Sequence, residues 1–181
     1  MKAETRVIGI DDGGTQARKR VVVGTVFRGK LWLDGVVSSV VDVRSCSLGR
    51  KLAEMVTDSK FYKELRFAML HGAMLSSAKT RCLIEFSNAT KLPTIALLDA
   101  KQVRLAVSVL EMTRNAIHFT LKRNVSALCI GLTREEALEI LRITSTGKTI
   151  SEPVRVAGLI ASAINFPKRL NWARQQSRAG S

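Results

Sequence analysis

The sequence contains few of the residues that build disulfide scaffolds, zinc centres or aromatic surfaces. Its three cysteines lack the Cys-x-x-Cys spacing of metal and redox motifs and lie far apart, at Cys46, Cys82 and Cys129. An odd number of dispersed thiols is typical of reduced intracellular proteins and argues against a secreted disulfide-rich domain. The aromatic residues are two Trp, one Tyr and six Phe, too few for the stacking surface of an RNA-recognition domain.

Long apolar runs are also missing. No stretch approaches the roughly 18 consecutive apolar residues that a membrane-spanning helix needs. The first residues lead directly into a strand-like segment, which leaves no room for a secretory leader. We therefore expect a cytoplasmic protein without a membrane partner. The 181 residues suffice for one domain with its own core, which includes a basic tail from about residue 165 to residue 181.

Acidic residues are scarce. The chain has 15 Asp and Glu against 29 Lys and Arg, which gives a net charge of +14. This balance favours a polyanionic partner, because neutralising phosphates releases their counterions. We expect that partner to be nucleic acid, either DNA or RNA. A generally basic proteome or an acidic protein partner would also account for the charge.

Apolar periodicity predicts three strands at the start of the chain. They span residues 7–10, 21–28 and 31–43, and Gly29-Lys30 forms a two-residue turn between the second and the third. Strands joined in this way form an antiparallel meander.

Helix and strand patterns alternate in the rest of the chain. Helices are predicted at 48–62, 80–89, 103–113, 133–141 and 151–164, and strands at 66–70, 94–98 and 125–130. Thr133 opens a capping box, and Pro153 occupies an early helical position where its missing N–H costs nothing. This order predicts an α/β fold with a mixed sheet of five to six strands, the first three antiparallel, and helices on its faces. It is the order of an RNase H-like domain.

Two neighbouring carboxylates, Asp11 and Asp12, end the first strand just before a glycine turn. Carboxylate oxygens at the edge of a sheet are suited to hold Mg²⁺ or Mn²⁺. An Asp before Gly also commonly caps a turn, so a purely structural role remains open.

The stretch from Asp11 to Thr15 also fits the Asp-x-Gly-Gly-Thr loop of the sugar kinase, actin and chaperone ATPases. Those proteins clasp the nucleotide between two lobes, and this sequence has no second phosphate loop. Phosphotransfer or ATP binding is therefore the weaker interpretation.

Longer segments resemble one family over most of the chain. They read VIGIDDG at 7–13, VVGTVFRG at 22–29, LDGV at 33–36, FAMLHGA at 67–73, LPTIA at 92–96 and, centred on SEPVR at 151–155, the segment 147–157. In this order and at these distances they are similar to the archaeal endonuclease dU family, which is distantly similar to endonuclease V.

The resemblance implies an RNase H-like fold and cleavage of DNA beside deaminated bases such as deoxyuridine or deoxyinosine. It also implies a divalent metal, Mg²⁺ or Mn²⁺, that activates water and stabilises the leaving oxygen. Asp11 matches the metal carboxylate of the first strand, and Asp12 is its companion. The lesion would be recognised out of the base stack, in a pocket.

Two positions depart from the family pattern. His71 stands where the family has an Asp after the fourth strand, and imidazole replaces a hard carboxylate poorly on Mg²⁺. Gly158 stands three residues after Arg155, where endonuclease V has His or Asp. Asp42 and Glu54 are the candidates for the remaining acidic ligand. We therefore expect Asp11, Asp12 and His71 to form a site whose nuclease activity is weakened or lost, and a non-catalytic DNA- or RNA-binding module is the alternative.

Basic residues near the end of the chain are candidates for phosphate contacts. They are Arg155, Lys168, Arg169 and Arg174. Arg155 is equally suited to an ion pair with Glu152. Trp172 lies among the last of these cations, where it would either stack on a base or fold back on the core.

Overall fold

A computed structural model describes residues 4–15, 17–72, 74–77, 81–122, 124–147 and 151–165. In these segments one mixed sheet contains seven strands, in the order β3-β2-β1-β4-β5-β7-β6. The strands are β1 (Arg6–Asp11), β2 (Lys19–Arg28), β3 (Trp32–Asp42), β4 (Leu65–Leu70), β5 (Thr94–Asp99), β6 (Ala116–Lys122) and β7 (Val125–Ile130).

Strand directions divide the sheet into three parts. The first three strands form the predicted antiparallel meander. β4 pairs in parallel with β1, and β5 pairs in parallel with β4. β7 then returns antiparallel beside β5, and β6 closes the sheet as an edge strand. The three central strands β1, β4 and β5 therefore end at the same edge.

Two details of the predicted sheet were wrong. The predicted count of five to six strands missed β6, an edge strand within the basic stretch 114–123. The signal was present in the sequence, because Ile117, Phe119 and Leu121 alternate with polar residues, and these three apolar side chains pack against the core. The turn after β2 has three residues rather than two, because Arg28 pairs with Trp32 and Leu31 lies in the turn.

The helices agree with the sequence patterns, with small changes in their bounds. They are α1 (Leu48–Thr57), α2 (Met74–Ser77), α3 (Arg81–Thr90), α4 (Val103–Met112), α5 (Arg134–Thr144) and α6 (Glu152–Asn165). The short α2 was not predicted, and the first helix ends at Thr57 rather than near residue 62. The capping box is present, since the Glu136 N–H donates to Thr133 Oγ1 at 3.2 Å and the Thr133 N–H donates to Glu136 Oε2 at 2.8 Å.

Helices cover both faces of the sheet, as predicted. Helices α1 and α3 pack on the face that carries Ile8 and Ile10 of β1. Helices α5 and α6 pack on the other face, which carries Val7 and Val23. Because side chains alternate along a strand, Asp11 lies on the same face as Val7, beneath α6. No helix among the described residues is long and apolar enough to cross a membrane.

Candidate functional site

Three polar residues meet where the central strands end. Asp11 is the last residue of β1, His71 directly follows β4, and Asp99 is the last residue of β5. The His71 N–H donates to the Ile10 carbonyl at 2.9 Å, which extends the parallel pairing by one residue and fixes the start of the loop. The carboxyl ends of adjacent parallel strands are a common place for functional groups.

Asp11 and His71 form a close pair. The Nδ1 atom of His71 lies 2.7 Å from Oδ2 of Asp11, whose side chain is only 6% exposed. The other oxygen, Oδ1, accepts the Gly13 N–H at 2.6 Å. The imidazole itself is about one-third exposed, at 32%. The pair therefore has one buried member and one member that reaches the surface.

The surroundings of His71 favour its charged form. Burial by itself lowers the pKa of His71, but the hydrogen bond to Asp11 and the negative charges of Asp11, Asp12 and Asp99 raise it further than burial lowers it. The resulting pKa lies above the ordinary value for histidine. The contact with Asp11 is therefore an ion pair over a wider pH range than a free histidine would allow.

Asp12 points in a different direction and has a cation of its own. Its Oδ2 accepts a hydrogen bond from Arg20 Nη1 at 2.6 Å, and the two side chains are 0% and 2% exposed. Its Oδ1 accepts the Gly14 N–H at 3.0 Å. Arg20 also donates through Nε to the Ala17 carbonyl at 2.6 Å. The second carboxylate of the predicted site thus belongs to a buried ion pair.

Helix α6 closes the site through a glycine. A Cβ atom placed on Gly158 would lie 3.2 Å from Cγ of Asp11, closer than most van der Waals contacts. Position 158 therefore faces Asp11 directly. Gly72 approaches from the other side with φ +106°, and a Cβ there would lie 2.5 Å from Oδ1 of Asp12. Backbone rather than side chains surrounds the two carboxylates on these sides.

The end of α6 is tied to the first strands by hydrogen bonds. Asn165 Nδ2 donates to the carbonyls of Asp12 and Val21 at 3.0 and 2.8 Å, and its Oδ1 accepts the Val21 N–H at 2.9 Å. Ser162 Oγ donates to the Gly13 carbonyl at 3.0 Å. These contacts hold the glycine turn after β1 against the helix.

Asp99 and Gln102 belong to the site but were not predicted from the sequence. Gln102 is 5% exposed, and its Nε2 donates to the Gly72 carbonyl at 3.0 Å. Its Oε1 accepts the Asp99 N–H at 3.0 Å, and its own N–H donates to Asp99 Oδ1 at 3.1 Å. The sequence did hold one signal: Asp99 ends an apolar strand, as Asp11 does.

The other predicted site residues lie elsewhere. Asp42 ends β3, two strands away from β1, and pairs with Arg18 at 2.8 Å. Glu54 is exposed on α1, on the opposite face of the sheet. Arg155 pairs with Glu152 at 2.6 Å, one of the two arrangements expected for it. The predicted phosphate-binding residues Lys168, Arg169 and Arg174, together with Trp172, lie outside the described residues.

The side chains around Asp11 do not fit a hard divalent cation. Each of the four carboxylate oxygens of Asp11 and Asp12 already faces a nitrogen of the protein. Within the described segments, no three His, Cys, Asp or Glu side chains are placed so that they could hold a metal ion. Mg²⁺ is usually held by one or two carboxylates together with waters, and here both oxygens of Asp11 already contact a nitrogen of the protein.

Comparisons with known proteins identify relatives over nearly the whole chain. The sequence profile of a family described as endonuclease dU matches residues 3–165. A UPF0215 protein of Methanosarcina acetivorans is 31% identical, with 92% of this chain and 93% of that protein covered. Another UPF0215 protein, from Methanothermobacter thermautotrophicus, is 30% identical, with 92% and 90% covered.

A solved structure has the same fold. The crystal structure of a protein of unknown function from Archaeoglobus fulgidus superposes with a TM-score of 0.72 at 23% sequence identity. The match covers 89% of this chain and 98% of that one. At this identity the likeness concerns the fold alone.

Proposed function

Because the chain belongs to the endonuclease dU family, we propose that it binds DNA and recognises deaminated bases such as deoxyuridine or deoxyinosine. Its metal-dependent cleavage is weakened or lost, because His71 and Gly158 stand where the resemblance places a carboxylate and a His or Asp. One observation carries the proposal: positions 11, 71 and 158 are far apart in the sequence but adjacent in space. The positions that the resemblance assigns to one site converge on one carboxylate.

The sheet supports the RNase H-like part of the proposal. Strands β3, β2 and β1 are antiparallel neighbours, and β4 and β5 follow β1 in parallel, with helices on both faces. This is the arrangement that the sequence order predicted for an RNase H-like domain. In it, Asp11 ends β1, one of the three central strands, at the edge where a nucleic-acid backbone would approach.

The charge distribution supports a polyanionic substrate at this edge. Arg18 directly precedes β2, and Lys19 is the first residue of that strand, while Arg44 follows β3. These three cations lie at the same end of the sheet as Asp11. All three are exposed. Together with the net charge of +14, these cations favour contacts with phosphate rather than with a neutral ligand. A DNA substrate also agrees with the cytoplasmic location proposed from the sequence.

The phosphotransfer interpretation has less support. The N–H groups of Gly13 and Gly14, which would have to approach a phosphate, donate instead to Asp11 and Asp12. A Cβ on Gly13 would lie 2.3 Å from the backbone nitrogen of Ser162, so α6 occupies the space beside the turn. The non-catalytic binding module is the stronger second candidate, because both carboxylates of the site are already paired.

Binding is tested with labelled duplexes that contain deoxyuridine, deoxyinosine or neither, by fluorescence anisotropy at several salt concentrations. We expect tighter binding to the two damaged duplexes and a log–log salt slope of about −0.9 for each phosphate contact. Asp11→Ala should lose the preference for damaged DNA while it retains salt-sensitive binding. Asp58→Ala, which removes an exposed carboxylate after α1, is the matched control.

Nicking of the same duplexes is measured with Mg²⁺, with Mn²⁺ and with EDTA. We expect little or no metal-dependent nicking by the wild-type protein. The absence of salt-sensitive binding to every duplex would contradict the proposed function. An unchanged preference for damaged DNA in Asp11→Ala would contradict the role of this site in recognition.

A further inference from the structure

We propose that Arg20 and His71 take the place of a divalent cation in this protein, so that its site neither binds nor requires a metal ion. The inference concerns the site to which the proposed function assigns lesion recognition. It is tested separately, because metal binding is measured without DNA.

Both carboxylate oxygens of Asp11 already have a partner in the protein. Oδ1 of Asp11 accepts the Gly13 N–H at 2.6 Å, and Oδ2 lies 2.7 Å from the imidazole Nδ1 of His71. A metal ion at Oδ2 would have to displace the imidazole ring. A metal at Oδ1 would compete with a short hydrogen bond that also holds the glycine turn in place.

Arg20 is buried together with Asp12. Its guanidinium lies 2.6 Å from Asp12 Oδ2, and the two side chains are 2% and 0% exposed. Arginine keeps its charge at every pH that proteins tolerate. A metal ion that took Asp12 as a ligand would leave a positive charge in the interior without its counter-charge, and such burial is strongly unfavourable. Arg20 therefore competes permanently with any cation for Asp12.

Two positions that face the carboxylates carry no side chain that could act as a further ligand. Position 158 on α6 faces Asp11, and glycine there offers no donor atom. Position 72, which faces both carboxylates, is also a glycine. Each carboxylate that was predicted as a metal ligand instead has a nitrogen group of the chain beside it, the imidazole of His71 beside Asp11 and the guanidinium of Arg20 beside Asp12.

Isothermal titration with MnCl₂ and thermal unfolding with MnCl₂ or EDTA test this inference. The wild-type protein and Asp11→Asn should give superimposable Mn²⁺ titrations, and Mn²⁺ should shift their melting temperatures equally. Stoichiometric Mn²⁺ binding by the wild-type protein that is lost in Asp11→Asn would overturn the inference. The comparison of wild type with Asp11→Asn tests whether the site binds Mn²⁺, even if other variants fail to fold.

A gain-of-binding variant makes the test sharper. His71→Asp removes the imidazole and adds a carboxylate beside Asp11, so it should acquire saturable Mn²⁺ binding. At Mn²⁺ about 100-fold above the dissociation constant, its melting temperature should rise by roughly 5–10 °C. A folded His71→Asp protein that binds no Mn²⁺ would overturn the inference that His71 takes the place of the metal ion. If the wild-type protein bound no DNA either in EDTA or in Mn²⁺, that result would instead count against the proposed function.

Discussion

Arg20 and Asp12 form the most deeply buried ion pair among the described residues. A buried pair of this kind is tolerated only while both partners are present, because either one alone is an uncompensated charge in the interior. The pair therefore contributes to the specificity of the fold around the site. It sets Asp12 apart from Asp11, although the two are neighbours in the sequence.

We predict that removing one partner destabilises the protein strongly. Arg20→Met and Asp12→Asn should each lower the free energy of unfolding by about 3–5 kcal/mol in urea denaturation. The double variant Arg20→Met/Asp12→Asn should recover part of that loss, since it leaves no charge behind and keeps an acceptor for the Gly14 N–H. Arg18→Met, which breaks the exposed pair with Asp42, is the matched control and should change little. Full stability of Arg20→Met would contradict the prediction.

A second prediction at this scale concerns pH. The pKa of His71 is raised in the folded protein, chiefly by Asp11 against the opposing effect of burial. The stability that His71 contributes is therefore fully present below the unfolded pKa of about 6.5 and is lost as pH rises through the folded pKa. Urea midpoints of wild type and His71→Gln, measured from about pH 5 to about pH 9, should differ most at the acidic end. A difference that stays constant with pH would contradict this.

At the scale of elements, the reactivity of two cysteine thiols tests whether α3 and β7 stay packed in the folded protein. Burial raises the pKa of Cys82, on α3, to about 12, with a smaller contribution from Glu85. Burial also raises the pKa of Cys129, on β7, to about 12. Cys46 is exposed in the loop before α1. Thiolates rather than thiols react with alkylating reagents, so the first two cysteines should be inert in the folded protein.

We therefore expect iodoacetamide to label Cys46 alone in the native protein and all three cysteines after unfolding. Intact-mass spectrometry distinguishes one adduct from three. Cys46→Ser should show no rapid adduct. Rapid native labelling of Cys129 would mean that β7 opens readily, contrary to its place between β5 and β6 in the sheet.

Some helices and strands were predicted well from the sequence. Segments with strong local signals were found, such as the meander of β1 to β3 and the capped start of α5. Two elements were missed for different reasons. β6 alternates Ile117, Phe119 and Leu121 with polar residues, but it lies in a strongly basic stretch of the chain. Helix α2 has only four residues, too few to show a helical period.

The site was less predictable because its contacts are long-range. Asp11 was found from its place before a glycine turn, and His71 and Gly158 were found from the resemblance. No local pattern couples Arg20 to Asp12 or Gln102 to Gly72, since these contacts appear only when separate strands and loops pack together. The structure pairs Asp12, which was predicted as a metal ligand, with Arg20.

For the molecule as a whole, the net charge of +14 was the strongest guide from composition. Composition gives the sign of the partner's charge but not the surface that it contacts. The cations before β2 and after β3 are the contacts proposed for DNA, because they lie at the same end of the sheet as Asp11.

The packing of α6 on the first strands also limits when the site can form during protein synthesis. Helix α6 is the last described element of the chain, yet it covers β1 and β2, which are made first. A domain generally folds as a unit. The contacts of Asn165 with Asp12 and Val21 therefore form only after residue 165 has been made. A ribosome stalled before α6 would hold every carboxylate of the site and still lack the site.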